Sequence, residues 1–366
     1  MNITAKITGI KYKILLSEDL QMVEFDNFNI NQTPSFCLLK DGKFSFAVSK
    51  WVSPKRTRSY PYERVYNTLN MSKKITVIPI IKDEGFDGDR DFLQWDTVSL
   101  MSLLDVFVIF AYYNKAIKNP KFDNKITDFQ FDNKYIVSKI KEIEQYHSSA
   151  LHWNLNELKN NFHNLVDKAK KSYADIEKQT GVLLHNQSGI ENFKEKIGKD
   201  VSDFMEFSRE KAQKAQSREM VTMQPKESLT TATKAKITIT NYLGGQYFFT
   251  VDEVFFDKNT VYLIESKHSK RTILPSKGDI KDGLLKMILY SNLCEVEVDG
   301  KPMKSKAVLN LTSPKIDREI TSEMPVWDRG DLLLINGFLQ QQMRFIDVLM
   351  DEAEENGFIV KIGGVK

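Results

Sequence analysis

Asp252, Glu265 and Lys267 are the residues of this sequence whose types and spacing are best suited to chemistry. Two neighbouring carboxylates offer hard oxygen ligands to Mg²⁺, which proteins usually hold with one or two carboxylates while water and a substrate phosphate complete the shell. Ser266 adds a backbone carbonyl to this set. The ammonium group of Lys267 could position or deprotonate an attacking water, or neutralise charge developing on a phosphate. The pattern therefore predicts a site for Mg²⁺, with Mn²⁺ as a substitute, that hydrolyses phosphodiester bonds.

The two segments that carry these residues are predicted to form a β-hairpin. Residues 246–256 and 261–266 are rich in aromatic and β-branched side chains, and the polar stretch 257–260 favours a tight connection between them. Whether the loop has two or four residues, a symmetric closure places Asp252 directly opposite Glu265. Every second side chain along a strand shares a face, so the lysine two positions beyond Glu265 is expected to join the pair.

The two facing carboxylates also allow a purely structural interpretation. Opposed like charges destabilise a hairpin by up to roughly 1 kcal/mol, so the pair calls for a compensating positive charge. A divalent cation would supply it. In the alternative, Asp252 and Glu265 are solvated strand residues and Lys267 forms an ordinary cross-strand ion pair.

The motif resembles that of the PD-(D/E)XK nuclease superfamily, which includes the type II restriction endonucleases. The resemblance covers residues 234–293, in which twelve positions separate Val251-Asp252 from Glu265-Ser266-Lys267. This spacing is also similar to that of archaeal Holliday-junction resolvases, and Val251 stands where the family usually has proline. The resemblance implies an α/β (α+β) restriction-endonuclease-like core, a mixed sheet flanked by helices. It also implies Asp252, Glu265 and Lys267 as catalytic residues, with Asp252, Glu265 and the Ser266 carbonyl as metal ligands.

The family places a helix after the strand with the Glu-x-Lys motif, and residues 278–293 have the apolar spacing of such a helix. Some members carry Gln and Tyr four positions apart on this helix. Here Lys286 and Tyr290 take those positions, so the glutamine is absent. An acidic residue from the first core helix often assists metal binding in the family. Glu206 and Glu210 are candidates for that role, and the alternative for both is an exposed helix carboxylate.

Other polar residues adjoin the predicted site. Glu253 is expected on the opposite face of its strand, as a residue of the rim. His268, Lys270 and Arg271 follow the Glu-x-Lys strand and form a basic exit. This exit could hold a DNA phosphate beside the metal, or it could be a solvated cationic loop.

A basic and aromatic stretch, residues 49–66, is the best candidate surface for nucleic acid in the N-terminal half. Cations bind phosphates and aromatic rings stack on bases. The expected DNA-binding residues here are Lys50, Trp51, Lys55, Arg56, Arg58, Tyr60 and Arg64. The alternative is a solvated basic loop whose tyrosines, including Tyr62 and Tyr66, pack on the core.

Length and composition limit the possible functions. The chain has 366 residues, 41% hydrophobic content and a formal net charge of +3. It can support two or three packed domains, and any DNA-binding surface must be a local patch because the overall charge is nearly balanced. Cys37 and Cys294 have no spacing that suggests zinc or a disulfide framework. No signal peptide is apparent and the longest apolar run, 98–113, is too short to span a bilayer, so we expect a cytoplasmic protein without membrane contact.

Local patterns predict most elements outside the site. Asp41-Gly42 favours a hairpin turn. The other predicted strands are 3–16, 22–28, 35–40, 43–49, 75–81, 306–312 and 358–362. The predicted helical segments are 97–117, 133–180 (ended by Gly181), 188–217 and 331–356. The predicted domains are a β-rich DNA-recognition domain at 1–130, a helical spacer at 131–187 and a nuclease core at 188–366.

The sequence as a whole predicts a Mg²⁺-dependent DNA endonuclease of the site-specific restriction type, since half of the chain precedes the core and is available to select a site. Cutting both strands of double-stranded DNA requires two sites, so a homodimer is expected, with the helical segment or residues 331–356 as contacts. One alternative is a non-catalytic DNA-binding or assembly protein on a decayed nuclease fold. Another is a nuclease that acts on branched DNA or on RNA.

Overall fold

The structure, a computed structural model, describes residues 1–42, 44–54, 61–197, 201–221, 233–242 and 244–364. The chain divides into two compact units. The discontinuous unit consists of Met1–Glu18 with Arg209–Lys366, and the central unit consists of Asp19–Ser208. Both units combine helices with β-sheet.

The strands, in chain order, are β1 (Asn2–Ile7), β2 (Met22–Glu24), β3 (Phe36–Asp41), β4 (Phe44–Lys50), β5 (Lys74–Pro79), β6 (Ile81–Asp83), β7 (Arg90–Phe92), β8 (Val106–Ala111), β9 (Tyr113–Lys118), β10 (Ile126–Phe131), β11 (Thr233–Asn241), β12 (Gln246–Asp257), β13 (Thr260–His268), β14 (Cys294–Val298), β15 (Lys301–Pro302), β16 (Lys304–Thr312), β17 (Ile320–Thr321) and β18 (Ile359–Gly363). The α-helices are α1 (Pro61–Tyr66), α2 (Trp95–Leu103), α3 (Asn133–Glu144), α4 (Ala150–Asn160), α5 (Phe162–Thr180), α6 (Ser188–Ile197), α7 (Val201–Val221), α8 (Lys277–Ser291), α9 (Val326–Ile335) and α10 (Gln340–Asn356).

The discontinuous unit is a mixed sheet flanked by helices, which confirms the predicted α/β class. Within the described residues the sheet has nine strands, in the order β15-β14-β1-β11-β12-β13-β16-β18-β17. β12 is antiparallel to both of its neighbours, whereas β13, β16 and β18 run parallel to one another. α8 packs on β13 and β16, and α10 packs on β18. The strands that carry the predicted site are therefore interior strands, with α8 lying against one of them.

The N-terminal strand belongs to the same unit as the predicted core. β1 pairs in parallel with β11, from Asn2 opposite Lys236 to Ile7 opposite Asn241. The chain that follows is held by the buried carboxylate of Glu352, which accepts hydrogen bonds from the Leu15 and Leu16 amides at 2.8 and 2.9 Å. The division of the structure therefore differs from the predicted domains 1–130, 131–187 and 188–366. A strand pairing across more than two hundred positions leaves no local pattern in the sequence.

The central unit contains most of the predicted β-rich region together with the predicted helical spacer. Among its described strands, β2-β3-β4-β5-β8 form one sheet. β3 and β4 form the predicted hairpin around Asp41-Gly42, in which Gly42 has a φ of 54°. The predicted helical segment 133–180 consists of α3, α4 and α5, and Gly181 ends α5 with a φ of 66°.

Two predicted helices are wrong in extent. The predicted helix 97–117 ends with α2, and the chain turns at Asp105, with a φ of 54°, into strands β8 and β9. β8 is buried along its whole length, and a short apolar run buried on both faces has no periodicity that separates strand from helix. The predicted helix 331–356 is interrupted at Gly337, which has a φ of 77° and separates α9 from α10.

The predicted helix 188–217 corresponds to α6 and α7, with residues 198–200 outside the described part of the chain. None of the helices described by the structure combines the length and the apolarity that a bilayer crossing requires.

Candidate active site

The β12–β13 hairpin forms in the predicted register. Its pairs run from Glu253 opposite Ile264 to Asp257 opposite Thr260, and the turn has two residues. Continued by one pair, this register places Asp252 opposite Glu265. The Asp252 carboxylate accepts a hydrogen bond from the Ser266 amide at 3.0 Å, so it lies across the gap between the two strands. The prediction that the hairpin brings the two acidic residues together is confirmed.

The Ser266 side chain points away from the two carboxylates, as predicted. Ser266 pairs with Asn310 of β16, and the Asn310 amide donates to the Ser266 hydroxyl at 3.2 Å. The contribution of Ser266 to the predicted metal site is therefore limited to its backbone.

Glu265 is the buried centre of the site. Its side chain is only 2% exposed, and each of its oxygens has a lysine partner. The Lys267 Nζ lies 3.1 Å from Oε1 and the Lys286 Nζ lies 2.7 Å from Oε2. Burial alone would raise the pKa of Glu265, but the ammonium groups of Lys286 and Lys267 outweigh it and hold the pKa below its usual value. Glu265 is therefore ionised at neutral pH.

Lys267 joins the two acidic residues to helix α8. Its ammonium group also contacts the Asp282 carboxylate, at 2.9 Å. Burial and the nearby Lys286 lower the pKa of Lys267, but Glu265 and Asp282 raise it by more. A lysine that keeps its proton is a poor general base, so the arrangement favours an electrostatic role over deprotonation of water.

Lys286 is the residue of this cluster whose role the sequence did not predict. The α8 position it occupies was singled out only because the glutamine of some family members is absent there. Its side chain is 19% exposed, and although burial lowers the pKa of its ammonium group, Glu265, Tyr290 and Asp252 raise it above the ordinary value. The one available signal was spacing: Asp282 and Lys286 stand four positions apart, on one face of the helix.

Gly283 explains how α8 reaches the strands so closely. A Cβ atom added there would lie 2.7 Å from a Leu309 methyl carbon and 3.3 Å from the Lys267 Cε. A larger residue would push the helix away from β13 and β16. The absence of a side chain at Gly283 therefore allows Asp282 and Lys286 to reach the hairpin.

Asp252 is the residue whose charge is least well compensated. Burial and the neighbouring Glu265 carboxylate raise its pKa from 3.8 to about 6, although Lys286, the Ser266 amide and Lys267 act in the opposite direction. Asp252, Glu265 and Asp282 together carry one more negative charge than the two lysines supply when all five groups are ionised. The site therefore has a residual demand for positive charge.

The donor set of this site fits Mg²⁺ or Mn²⁺. Among the described residues, no group of three or more His, Cys, Asp and Glu side chains is arranged to hold a metal ion. Asp252 and Glu265 nevertheless supply the two carboxylates that Mg²⁺ commonly uses. The Lys286 ammonium, 2.7 Å from Glu265, stands in for a cation at this position. A metal bound here would share Glu265 with that lysine.

The raised pKa of Asp252 gives a testable effect on stability. Between about pH 4 and pH 6 the folded protein keeps the proton that the unfolded chain releases, so the free energy of unfolding falls as pH rises through this window. Asp252→Asn removes that cost. Without metal, we expect the variant to be more stable than the wild type by up to roughly 3 kcal/mol at pH 7.5 and by little at pH 3.5.

Urea denaturation in EDTA at both pH values measures this difference. Asp257→Asn, an exposed change on the same strand, is the matched control and is expected to leave stability unchanged. Equal stability of Asp252→Asn and the wild type at pH 7.5 would contradict the proposed environment of Asp252.

The other residues predicted near the site occupy its surroundings. Glu253 is partly exposed, and Lys270 and Arg271 are exposed just beyond β13. His268, at the end of β13, contacts the Thr312 hydroxyl at 3.1 Å. The basic exit is therefore accessible to a phosphate, and its role stays a prediction. Glu206 and Glu210, the candidates for an upstream acidic ligand, are both exposed on α7.

The described part of the N-terminal basic stretch is largely internal to the central unit. Trp51 has no exposed surface and so offers no ring to a base, which corrects the stacking role expected of it. The Lys50 ammonium donates to the Ile30 and Thr33 carbonyls at 2.6 Å each, and the Arg64 guanidinium donates to the Lys50 carbonyl at 2.7 Å.

The tyrosines of this stretch match the structural alternative, because Tyr62 and Tyr66 are buried at 3% and 0% exposure. Four of the predicted DNA-binding residues, Lys55, Arg56, Arg58 and Tyr60, lie outside the described part of the chain.

The chain was also compared with known proteins. A scan against protein-family models, a search of curated proteins and a search of solved structures each returned no match.

Proposed function

We propose that this protein is a metal-dependent nuclease that hydrolyses phosphodiester bonds in double-stranded DNA, of the site-specific restriction type. The convergence of Asp252, Glu265 and Lys267 around a buried carboxylate on neighbouring strands is the observation that supports it. The proposal includes a restriction-endonuclease-like core and a cytoplasmic location, where the substrate DNA would be.

The residues of the site divide the work. Asp252, Glu265 and the Ser266 carbonyl would hold Mg²⁺ or Mn²⁺, which when bound polarises a phosphate oxygen and lowers the pKa of a bound water. Lys267 keeps its ammonium charge beside Glu265 and neutralises negative charge that builds on the phosphate. Lys270 and Arg271, exposed beyond β13, are placed to contact the DNA backbone.

One observation favours the competing function, a non-catalytic DNA-binding or assembly protein. Both oxygens of Glu265 already contact a lysine, so the site can satisfy its buried carboxylate without a metal. A decayed nuclease that has replaced its cation by Lys286 would have this geometry. A nuclease for branched DNA or RNA would share the chemistry and differ only in substrate.

The test is incubation of the purified protein with long duplex DNA and Mg²⁺. Discrete fragments support a site-specific endonuclease, and a smear supports a non-specific one. Asp252→Asn, which keeps the shape of the side chain, should abolish the fragments. If the wild type cleaves neither duplex nor branched DNA nor RNA with Mg²⁺ or Mn²⁺, and neither ion stabilises it, the binding-protein alternative is correct.

A further inference from the structure

One face of helix α9 exposes large apolar side chains to solvent. Trp327 is 74% exposed, Leu334 is 64% exposed and Ile335 is 58% exposed. Positions seven and eight apart share one side of a helix, so these three residues form a continuous stripe. Leu339, which immediately precedes α10, is 69% exposed and extends the apolar surface. These four residues are called the α9 face.

The area of the α9 face is large for a surface that contacts only water. At these exposures the four side chains offer on the order of 500 Å², and exposed apolar patches of this size usually mark an interaction site. A standard protein–protein interface buries roughly 800 Å² on each partner. The α9 face would supply the greater part of such an interface.

Gly330 lies within the stripe and has no internal reason to be glycine. It stands three positions after Trp327 and four before Leu334, and a Cβ atom added there would meet nothing within 4 Å. A glycine in a helix interior costs stability relative to alanine. A position without a side chain in the middle of an apolar stripe allows another helix backbone to approach closely.

A cavity of about 410 Å³ adjoins the start of α9. Val326 and Met324 contribute apolar lining, and the cavity also has charges of both signs. These charges come from Lys306, Arg329, Glu323 and Glu354. The same region of the molecule therefore presents a protruding Trp327 beside a concave surface, and cations beside anions.

We propose that the α9 face binds the α9 face of a second copy of this chain in a two-fold symmetric dimer. A two-fold interface uses the same patch on both partners and so must be complementary to itself. A surface that carries both a protrusion and a cavity, with both signs of charge, meets that condition. A partner of one charge sign would leave half of these charged groups opposed by like charge.

The dimer has a consequence for the proposed function. A nuclease that cuts both strands of a duplex needs two active sites, and the α9 interface would bring two together. This consequence rests on the proposed function, whereas the interface itself rests on the surface of the chain.

The proposal is tested by sedimentation velocity of the full chain without DNA or metal. We expect a dimer at roughly 100 µM protein, and at least a tenfold weaker dimer for Leu334→Glu. Because Leu334 is exposed, this change should leave the circular dichroism spectrum and the melting temperature of the monomer unaltered. Leu183→Glu is the matched control: Leu183 is 66% exposed in the central unit, and this variant should dimerise like the wild type.

Gly330→Ala is the second variant. It should weaken the dimer at least tenfold while raising the melting temperature of the dilute monomer, because alanine favours the helix. A wild type that stays monomeric at roughly 100 µM overturns the proposal, and so does a Leu334→Glu variant that dimerises as tightly as the wild type. A dimer without cleavage would refute the nuclease and leave the interface intact; cleavage by a monomer would do the reverse.

Discussion

Lys267→Met should slow the cleavage of duplex DNA by roughly 10²–10³-fold, the usual effect of removing one pre-organised positive or hydrogen-bonding group from a transition state. The variant keeps the length and the apolar stem of the side chain and loses only the ammonium group. Lys286 still contacts Glu265 at 2.7 Å, and Asp282 is 19% exposed, so water can replace its lost partner. We therefore expect the variant to fold and to bind Mn²⁺.

Single-turnover rates on a plasmid substrate, with Mn²⁺ binding measured by calorimetry, separate the chemical effect from a structural one. Lys301→Met, an exposed change on the edge strand β15, is the control and should cleave at the wild-type rate. Lys267→Arg keeps the charge and should retain more activity than Lys267→Met. A folded Lys267→Met protein that cleaves at nearly the wild-type rate would remove Lys267 from the mechanism.

The acidic pair of the site could be predicted from the sequence because it depends on local structure. A hairpin with a short loop fixes its own register, and that register alone places Asp252 opposite Glu265. The two-residue turn includes Lys258, whose φ of 50° is the left-handed conformation that such turns use. No distant part of the chain is needed to specify this pair.

The lysine from α8 could not be predicted in the same way. Its contact with Glu265 requires the helix to pack across β13 and β16 at a particular height and rotation. Gly283 sets that approach through contacts with Leu309 and Lys267, which are distant in sequence. The parallel pairing of β1 with β11 was missed for the same reason, since it is specified by tertiary packing and not by a local pattern.

The basic stretch of the N-terminal half shows a different limit. Residue types alone do not tell whether a cation binds a phosphate or a carbonyl of its own chain. Lys50 does the latter, and burial together with Arg64 lowers the pKa of its ammonium group. An aromatic residue next to a cation is equally ambiguous, because Trp51 is wholly buried.

Lys286→Met should change the metal dependence of stability more than any other substitution in the site. Without metal, the variant leaves the Glu265 carboxylate with Lys267 as its remaining ammonium partner in the cluster, opposite Asp252. Removal of one partner from a buried ion pair typically costs about 3 kcal/mol or more. For a unit of this size that corresponds to a fall in melting temperature of roughly 6–12 °C.

Mn²⁺ should reverse this loss. Removal of the ammonium group also removes its repulsion of a divalent cation at Glu265, a repulsion worth at least about 1.4 kcal/mol at such distances, so the variant should bind Mn²⁺ at least tenfold more tightly than the wild type. Saturating Mn²⁺ would then raise the melting temperature of Lys286→Met by more than that of the wild type. Calorimetry and thermal melts with and without Mn²⁺ measure both effects.

Lys286→Arg is the matched control, because it keeps a positive charge against Glu265 and should bind Mn²⁺ with near wild-type affinity. If Lys286→Met and the wild type bind Mn²⁺ equally and melt together, Lys286 is not acting as a cation at the metal position. If instead neither protein binds Mn²⁺ and the variant is simply unstable, Lys286 has replaced the metal permanently. The site is then a structural ion-pair cluster, and the binding-protein alternative follows, because a site of this kind without its cation has no means of activating water.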